Sequence, residues 1–403
     1  MRNSSSSKGR QRRPFSKKKK TSTPHFVKGP VFSATVRDLT SDGQGIVSDP
    51  EGLTVFVPGV WINETGQFRV VGKQKKIGIG ELVELEKPSP HRVKAICSHH
   101  GFSDKHCGGC AWQFMAYSSQ LEAKQFKVER SIARLSSCKV SPIKAAPDTD
   151  GYRNRAQLKS DGKNIGYIAK SSNSLAPITD CPILSSHNRN TLSELIAKLP
   201  NNDWKPKRHE QWTTLNINEN VFTENISINK RLPFQQSNNK QNKFMREWLG
   251  KELSKLDKKS KILELFCGSG NFTDIIIENG FTNISAIDSA GDAIEELQNK
   301  HENINAVSMN LFLDNVFLDI YKKYGKFDTL ILDPPREGLK NHENLISKKR
   351  YFKDIFYISC DLATFCRDTK YFLENGYTLS TLQPLDQSPH TPHIELLSHF
   401  FRK

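Results

Sequence analysis

Short stretches of alternating apolar and polar residues fill the chain between residues 31 and 88. The clearest of them cover residues 33–37, 53–57, 67–71 and 81–85, and turns rich in Gly, Asp and Pro separate them. This alternation predicts half-buried β-strands, because successive side chains of a strand point to opposite faces of the sheet. Four or five short strands in about 60 residues indicate a small barrel of the OB type, a shape that often binds oligonucleotides.

The middle of the chain, residues 92–230, mixes helical and strand-like patterns. In residues 117–135 the apolar side chains recur at helical spacing and fall on one face. Residues 212–217 and 221–226 alternate in the manner of two strands. We therefore predict a central domain of the α+β class.

Apolar strands alternate with helical segments in the last part of the chain, residues 231–403. This order predicts a parallel sheet with helices on both faces, because two parallel strands need a long crossover connection that is usually a helix. A doubly wound, Rossmann-like α/β domain is therefore predicted. Its seven candidate strands cover residues 261–266, 283–289, 306–310, 327–333, 355–359, 379–385 and 394–401.

Charge changes the interpretation at the start of the chain. The 403 residues carry a formal net charge of +16, and residues 1–30 contain ten Lys or Arg and no Asp or Glu. A Ser-rich basic segment cannot bury enough apolar surface to order itself, but it can neutralise phosphates. We therefore predict a disordered tail over residues 1–29 and a nucleic-acid partner. A purely solubilising tail is the alternative.

Membrane and secretory classes are excluded by the distribution of apolar residues. No run of about 18 apolar residues occurs, and no apolar signal-peptide region is present. The eight cysteines are therefore expected in a reducing cytoplasm, where clustered cysteines bind metals or act as nucleophiles more often than they form disulfides.

Four of these cysteines are candidate metal ligands. Three follow the spacing Cys97-x9-Cys107-x2-Cys110, and Cys181 lies further along the chain. Four thiolates suit a tetrahedral zinc ion or a [4Fe–4S] cluster, and the spacing does not separate the two. Unligated buried cysteines are one alternative, and competition from neighbouring histidines is another. The histidines concerned are His99, His100 and His106.

The first strand of the predicted α/β domain runs into a glycine-containing loop. Residues 264–272 place Gly268 and Gly270 where the backbone has to approach a ligand closely. Asp288 ends the second strand, where an acid can accept hydrogen bonds from both ribose hydroxyls. The third glycine of the dinucleotide fingerprint is missing, as is a Lys-containing phosphate loop, so S-adenosylmethionine fits better than NAD or ATP. Another Rossmann-type ligand or a structural glycine turn remains the alternative.

Two chemical groups follow the ends of neighbouring predicted strands. Asp333-Pro-Pro-Arg336 closes the fourth strand and Cys360 closes the fifth, so both lie at the sheet edge where open α/β sheets bind ligands. A thiolate that adds to C6 of uracil makes C5 nucleophilic enough to accept a methyl group, which uracil alone is not. Cys360 is therefore a candidate nucleophile for uracil, and a buried structural cysteine is the alternative.

A base is needed after methyl transfer, because the thiol can be eliminated only when the C5 proton has left. Glu395 is the candidate base, and His390 and His393 are its rivals. Cys366 is the thiol nearest to Cys360 along the chain. A helix after the fifth strand is expected to turn Cys366 away from the crevice.

Together these segments resemble the RNA uracil-5-methyltransferase family, and in particular its iron–sulfur branch that acts on 23S ribosomal RNA. The likeness covers nearly the whole chain after the tail. Residues 40–46 and 56–59 resemble the family's TRAM domain, an OB-like RNA-binding barrel, and residues 234–238 match its Phe-x-Gln-x-Asn element. Residues 359–368 and 389–395 match the segments that carry the family's nucleophile and its proton-abstracting Glu.

The resemblance implies a role for each matching residue. Cys360 would be the nucleophile, Glu395 the base, and Phe234 an aromatic neighbour of the flipped base. The implied contacts of S-adenosylmethionine are Gln236, Phe266, Asn271, Asp288, Asn310 and Asp333. The implied ligands of a [4Fe–4S] cluster, favoured here over zinc, are Cys97, Cys107, Cys110 and Cys181. A cytoplasmic monomer is implied, with a tail at 1–29, a TRAM barrel at 30–91, a central cluster domain at 92–230 and a methyltransferase domain at 231–403.

Three features depart from the family's pattern. The gap between Cys97 and Cys107 is longer than usual, and the region between Cys181 and Phe234 is short. Asp361 stands where the family has Asn, and its negative charge is expected to raise the pKa of the neighbouring Cys360 thiol. Two alternatives therefore stay open, which are the same chemistry on the T-loop uridine of transfer RNA and an RNA-binding module without catalysis.

Overall fold

The computed structural model describes residues 28–170, 172, 174–230, 234–347 and 352–402. The predicted basic tail therefore lies outside the described residues, apart from its last two positions. No helix in the described ranges is both long enough and apolar enough to cross a membrane.

The first sheet contains six strands in the order β1-β5-β6-β4-β3-β2. Neighbouring strands are antiparallel except β4 and β6, which run parallel. Apolar side chains such as Val47, Val55 and Phe68 alternate inward and form one fully buried core, which confirms the predicted strands. The strands are β1 (Val31–Thr35), β2 (Asp38–Leu39), β3 (Gly45–Ser48), β4 (Thr54–Val57), β5 (Thr65–Gln74) and β6 (Ile77–Lys87).

A segment without strands carries three of the cysteines and leads into helix α1 (Tyr117–Ile132). The predicted helix is confirmed, although it ends three residues earlier than expected, because Leu135 and Ser136 close a final turn on Ile132. Val128 and Ile132 of α1 pack into the core of the third sheet described below. Helix α1 therefore connects the middle of the chain to its C-terminal part.

The second sheet is antiparallel, with the order β11-β10-β7-β8-β9. Helix α2 packs against it, and Leu192 and Leu195 of this helix share a core with Leu158 and Leu215 of the sheet. The α+β class predicted for the middle of the chain agrees with this arrangement. The elements are β7 (Arg155–Ser160), β8 (Ile165–Ile168), β9 (Leu175–Pro177), α2 (Ser186–Ala197), β10 (Thr213–Asn218) and β11 (Ser227–Ile228).

The strand predicted over residues 221–226 is wrong. Thr223–Asn225 forms a short 3-10 helix, and only Ser227–Ile228 pairs with β10. The Asn225 side chain accepts a hydrogen bond from the Phe222 amide at 2.8 Å, while the Asn225 amide donates to the Phe222 carbonyl at 3.1 Å. These local bonds compete with strand pairing, as Asn side chains often do.

The third sheet contains all seven predicted strands, in the order β14-β13-β12-β15-β16-β18-β17. The strands are parallel except β18, which runs antiparallel to both β16 and β17. Its elements are α3 (Asn239–Leu253), β12 (Ile262–Leu265), α4 (Thr273–Glu278), β13 (Ile284–Asp288), α5 (Gly291–Lys300), β14 (Asn305–Ser308), α6 (Val316–Tyr324), β15 (Thr329–Leu332), α7 (His342–Leu345), β16 (Asp354–Ser359), α8 (Leu362–Glu374), β17 (Thr378–Leu385) and β18 (Glu395–Phe401).

Helices cover both faces of this sheet. Helices α3, α4 and α5 contribute to an apolar cluster on one face, and α1, α6 and α8 contribute to a second cluster on the other. Strands buried on both faces read as mostly apolar runs, and all four residues of Ile262–Leu265 are buried, Glu264 included. The predicted doubly wound α/β fold is therefore confirmed.

Candidate active site

The loop after β12 bends sharply at the edge of the third sheet. Phe266 has a φ of 64°, a left-handed conformation that is uncommon for a residue other than glycine, and Gly268 and Gly270 also have positive φ. The Gly268 amide donates a hydrogen bond to the Asp288 carboxylate at 3.0 Å, and the Ala290 amide donates to the same carboxylate at 2.8 Å. Asp288 therefore ties the loop to the end of β13.

A cavity of about 400 Å³ opens beside this loop. Its volume is within the range of small-molecule sites, and its lining combines backbone, amide and carboxylate groups. The predicted cofactor residues that line it are Gln236, Phe266, Asn271 and Asp333, together with the predicted base neighbour Phe234. This cavity can accommodate S-adenosylmethionine.

The other two predicted cofactor residues lie outside the lining. Asp288 holds the glycine loop through the two amide bonds described above. Asn310 accepts a hydrogen bond from the Phe312 amide at 3.0 Å. A direct contact from either residue to the cofactor thus stays a prediction.

An amide network connects the cavity to the segment before β18. Gln236 donates to Asp333 at 3.5 Å and accepts from Gln387 at 3.0 Å. The Asn154 side chain donates to the Gln236 carbonyl at 2.8 Å. Sequence reasoning missed Gln387 and Asn154, since neither belongs to a motif. Their signal is positional, because Gln387 lies in the segment that also leads to Glu395.

Cys360 and Glu395 lie at neighbouring ends of two paired strands. Ser359, the last residue of β16, pairs with Leu396 of β18; Cys360 directly follows Ser359, and Glu395 directly precedes Leu396. The charge of Glu395 acts on the Cys360 thiol and raises its pKa, which indicates that the two groups are close. Arg336 follows β15 at the same edge of the sheet. The structure therefore brings the predicted nucleophile and base together.

The electrostatics of this edge favour the neutral forms of its acids. Burial raises the pKa of the Cys360 thiol to about 12, Glu395 and Asp333 add to the increase, and Arg336 opposes it. Burial, with a further contribution from Asp333, raises the pKa of Glu395 well above its ordinary value. Burial and the Asp288 carboxylate raise the pKa of Asp333 to about 7. A positively charged ligand would relieve this crowding of acids and lower all three pKa values.

Asp361 has a structural role that its sequence position did not reveal. Its carboxylate caps the N-terminus of α8 and accepts from the Ala363 and Thr364 amides at 2.9 Å each. Burial and the Asp361 charge raise the pKa of the Cys366 thiol to about 11, whereas the main charges that raise the pKa of Cys360 are those of Glu395 and Asp333. An effect of Asp361 on Cys360 therefore stays a prediction.

The remaining competitors have other partners. Cys366 lies on α8 and packs against an apolar cluster. The His390 ring contacts the Gln120 side chain at 3.2 Å, on the side of α1. His393 contacts Arg336 at 3.2 Å, so it neighbours the site through that guanidinium. Glu395 is the group among these rivals whose charge acts directly on Cys360.

The four candidate ligand cysteines line one small cavity, which lies between the cysteine segment and the second sheet. Burial and the neighbouring thiols Cys107 and Cys97 raise the pKa of Cys181 to about 11. Burial followed by Cys181 raises the pKa of Cys110. Within the described ranges, no three His, Cys, Asp or Glu side chains are placed to hold a single metal ion.

Two of the three nearby histidines have hydrogen-bond partners of their own. The His99 ring contacts the Thr179 side chain and accepts from the Thr179 amide, both at 2.9 Å. The His106 ring contacts the Ser103 hydroxyl at 2.7 Å. His100 lines the same cavity as the four cysteines, and its buried Nε2 atom has no hydrogen-bond partner among the described residues, so His100 stays a rival ligand.

A seven-stranded sheet with one reversed strand, a glycine loop after its first strand and a nucleoside-sized cavity together define an S-adenosylmethionine-dependent methyltransferase. The sequence profile of the tRNA (uracil-5-)-methyltransferase family matches residues 207–401. An RNA methyltransferase of unassigned activity from Nitrosomonas europaea is 35% identical over 381 residues, which cover 92% of this chain and 97% of that protein. The chain therefore belongs to the RNA (uracil-5-)-methyltransferase family.

Two further relatives have more specific names. The 23S rRNA (uracil(1939)-C(5))-methyltransferase of Photorhabdus laumondii is 28% identical over 443 residues, covering 92% of this chain and 97% of its own. The tRNA (uracil-54, C5)-methyltransferase of Pyrococcus abyssi, solved with S-adenosyl-L-homocysteine, shares the fold with a TM-score of 0.66 at 23% identity. That match covers 92% of this chain and 100% of the solved chain.

Proposed function

We propose that this enzyme methylates C5 of a uridine in 23S ribosomal RNA through a covalent bond between Cys360 and C6 of the base. The observation that supports this proposal is the position of Cys360 directly after β16, beside Glu395 at the start of the paired strand β18, where the Glu395 charge acts on the thiol. The choice of ribosomal RNA rests on the Photorhabdus relative, whose name states that substrate and which aligns over nearly its full length.

The cofactor, when bound, supplies an electrophilic methyl group on a positively charged sulfur. Cys360 gives its proton to solvent, and the thiolate sulfur bonds to C6 as the C5–C6 π electrons shift towards C5. C5 uses that electron pair to accept the methyl group, with S-adenosylhomocysteine as the leaving group. The Glu395 carboxylate then takes the C5 proton. The electrons of the C5–H bond restore the C5–C6 double bond, and the sulfur leaves as a thiolate.

Arg336 supports the charged forms that this sequence requires. Its guanidinium lowers the pKa of both Cys360 and Glu395, against the effect of burial. Since both groups act while deprotonated, Arg336 is proposed to favour their reactive forms. The contact between Arg336 and His393 at 3.2 Å helps to hold the guanidinium there.

The cofactor and the base are proposed to occupy neighbouring parts of the cavity. Asp333 supplies the carboxylate that best suits a positively charged sulfur. A nearby positive charge would lower the raised pKa of this carboxylate. Phe234 is 71% exposed, so its ring is free to stack on a uracil taken out of its helix, a step that costs a few kcal/mol. The residues proposed to hold the cofactor are Gln236, Phe266, Asn271, Asp288, Asn310 and Asp333.

A second proposal concerns the cysteine cavity, for which we infer a [4Fe–4S] cluster with a structural role. Four thiols share one cavity, and burial, followed by the charges of the neighbouring thiols, raises the pKa values of Cys107, Cys110 and Cys181. Iron would supply the positive charge that four thiolates require. Separately, we propose that residues 30–91 bind RNA.

The cluster proposal predicts that Cys181→Ser abolishes iron and sulfide binding. Protein purified without oxygen is analysed for iron, acid-labile sulfide and zinc, and for visible absorbance. Cys138→Ser is the matched control, because Cys138 lies apart from the cavity, next to the Lys139 carbonyl. Wild-type protein that holds zinc and no sulfide would contradict the cluster.

The substrate proposal predicts methyl incorporation into unmodified 23S ribosomal RNA. Purified enzyme is incubated with labelled S-adenosylmethionine and either ribosomal or transfer RNA, and labelled 5-methyluridine is quantified. Transfer RNA is the second candidate, because the Pyrococcus enzyme that shares the fold bears that substrate in its name. Incorporation into transfer RNA alone would overturn the ribosomal assignment and keep the chemistry.

A further inference from the structure

The segment between β17 and β18, residues 386–394, leads directly into the proposed base Glu395. We call it the β17–β18 loop. His390 at its middle has a φ of 66°, a left-handed conformation that costs a residue other than glycine conformational energy. Such a conformation persists where the surroundings hold it, so the contacts around this loop matter for the placement of Glu395.

Trp112 makes the first of these contacts. It lies between Cys110 and α1 and is 2% exposed. Its backbone amide donates to the His390 carbonyl at 2.9 Å. Its indole Nε1–H donates to the Gly43 carbonyl at 3.0 Å. One buried residue thus joins the first sheet to the β17–β18 loop.

Gly43 belongs to a tight turn between β2 and β3. Its φ is 84°, and its amide donates to the Thr40 carbonyl at 3.2 Å. A Cβ atom on Gly43 would lie 2.6 Å from the Trp112 Nε1 atom and 3.1 Å from the Pro392 Cγ atom. The turn therefore packs on the loop itself, three residues before Glu395.

Helix α1 holds the middle and the start of the same loop. The side-chain oxygen of Gln120 accepts from the His390 amide at 2.9 Å, and the side-chain amide of Gln120 donates to the Trp112 carbonyl at 3.2 Å. One turn further along, Lys124 pairs with Asp386 at 2.7 Å, and neither side chain is exposed. The loop is therefore held by parts of the chain that lie outside the third sheet.

We propose that Trp112 and Gly43 are positioning residues for Glu395, so that the first sheet has to be docked on the β17–β18 loop for the C5 proton to be removed. This inference rests on the proposed covalent chemistry. It assigns to the first sheet a part in turnover that is separate from any contact with RNA. Neither residue touches the reacting atoms in this proposal, and both act through the loop.

The chemistry supplies a readout that a loss of RNA binding would not produce. The C6–S bond breaks only when the C5–H electrons restore the double bond, so slow proton removal leaves the methylated base attached to Cys360. A misplaced Glu395 should therefore lower kcat and raise the fraction of enzyme bound covalently to RNA. A defect in RNA binding should raise KM and lower that fraction.

The test compares Gly43→Ala with Gly280→Ala. Gly43 has a φ of 84° and Gly280, which follows α4, a φ of 85°, so the backbone cost of alanine is matched. A Cβ on Gly280 meets nothing within 4 Å, whereas a Cβ on Gly43 meets Trp112 and Pro392. We expect Gly43→Ala to lower kcat about tenfold at an unchanged KM, with accumulation of covalent complex on denaturing gels. Gly280→Ala should behave as the wild type.

Trp112→Phe provides the second variant, because it keeps an aromatic ring at this buried position and removes the indole donor together with one ring. It should show the same direction of change, and it carries the test if Gly43→Ala does not fold, as judged by circular dichroism and Tm. The proposal is overturned if folded variants keep the wild-type kcat, or if the defect lies in KM without added covalent complex. Absence of methylation by the wild type would instead refute the proposed function.

Discussion

Cys360→Ala is expected to lower methyl transfer to uridine by a factor on the order of 10⁴ or more, because the addition to C6 depends on its sulfur. The cofactor cavity is lined by other residues, so binding of S-adenosyl-L-homocysteine should stay within about twofold of the wild type. Single-turnover incorporation of labelled methyl groups measures the first quantity, and calorimetry measures the second. The covalent complex with RNA should disappear altogether.

Cys366→Ala is the matched control for this variant. It removes a thiol from the same motif, but from helix α8 and the edge of an apolar cluster. Transfer should remain near the wild-type rate, with a small loss of stability from the missing packing. Undiminished incorporation by Cys360→Ala would rule out the covalent mechanism.

The pKa of Cys360 explains why its reactivity should depend on the bound cofactor. Burial is the main cause that raises that pKa to about 12, so the thiol form predominates at neutral pH. A cation placed in the adjoining cavity lowers the pKa of a thiol, since it stabilises the thiolate. Cofactor binding is therefore expected to prepare the nucleophile as well as to deliver the methyl group.

Glu395→Gln is expected to stop the reaction after methyl transfer. The amide keeps the shape of the side chain but cannot take the C5 proton, so kcat should fall by about 10³-fold. The enzyme should remain bonded to methylated RNA, visible as a band of reduced mobility on denaturing gels. Mass spectrometry of the nuclease-treated complex should find one methyl group per attached uridine.

The double variant Cys360→Ala/Glu395→Gln provides the control for this trapping experiment. It must form no covalent complex, since it lacks the sulfur that bonds to C6. Free turnover by Glu395→Gln at the wild-type rate would show that another group removes the proton. His393 would then be the first candidate, because it contacts Arg336 beside the reacting thiol.

The strands of the third sheet were predictable because a strand that is buried on both faces appears in the sequence as a short, mostly apolar run. Ile262–Leu265 and Thr329–Leu332 are buried throughout, and each runs into a turn that carries polar or glycine residues. Residues at the ends of parallel strands meet at one edge, which is why the sequence alone groups Asp333 with Cys360. The local sequence pattern was therefore sufficient to predict both the fold class and the main chemical groups of the site.

Other features depend on contacts between distant parts of the chain. No local sequence pattern predicts the hydrogen bonds from Trp112 to Gly43 and His390, because both partners lie far from Trp112 in sequence. Helix α1 has an ordinary amphipathic pattern, which does not reveal that its apolar face packs on the third sheet. Gln387 also belongs to the site through a contact with a distant residue, its hydrogen bond to Gln236.

Asp361 illustrates why adjacency in sequence is a poor guide to electrostatics. The residue follows Cys360 directly, yet its carboxylate turns to the free amides at the start of α8. The main charges that act on the pKa of Cys360 belong to Glu395 on β18 and to Asp333 and Arg336, which follow β15. The free amides at the N-terminus of α8 set the direction of the Asp361 carboxylate, and this direction exists only in the folded chain.

The pairing of β16 with β18 also limits how the chain can vary in length. One residue added to or removed from either strand shifts the register, which turns the affected side chains to the opposite face of the sheet. Cys360 and Glu395 would then be displaced relative to each other, even though both residues were retained. The far end of this pair, at Asp354 and Phe401, is free of that constraint. We therefore expect relatives to differ by insertions and deletions beyond that end, and to keep equal strand lengths on the side of the thiol.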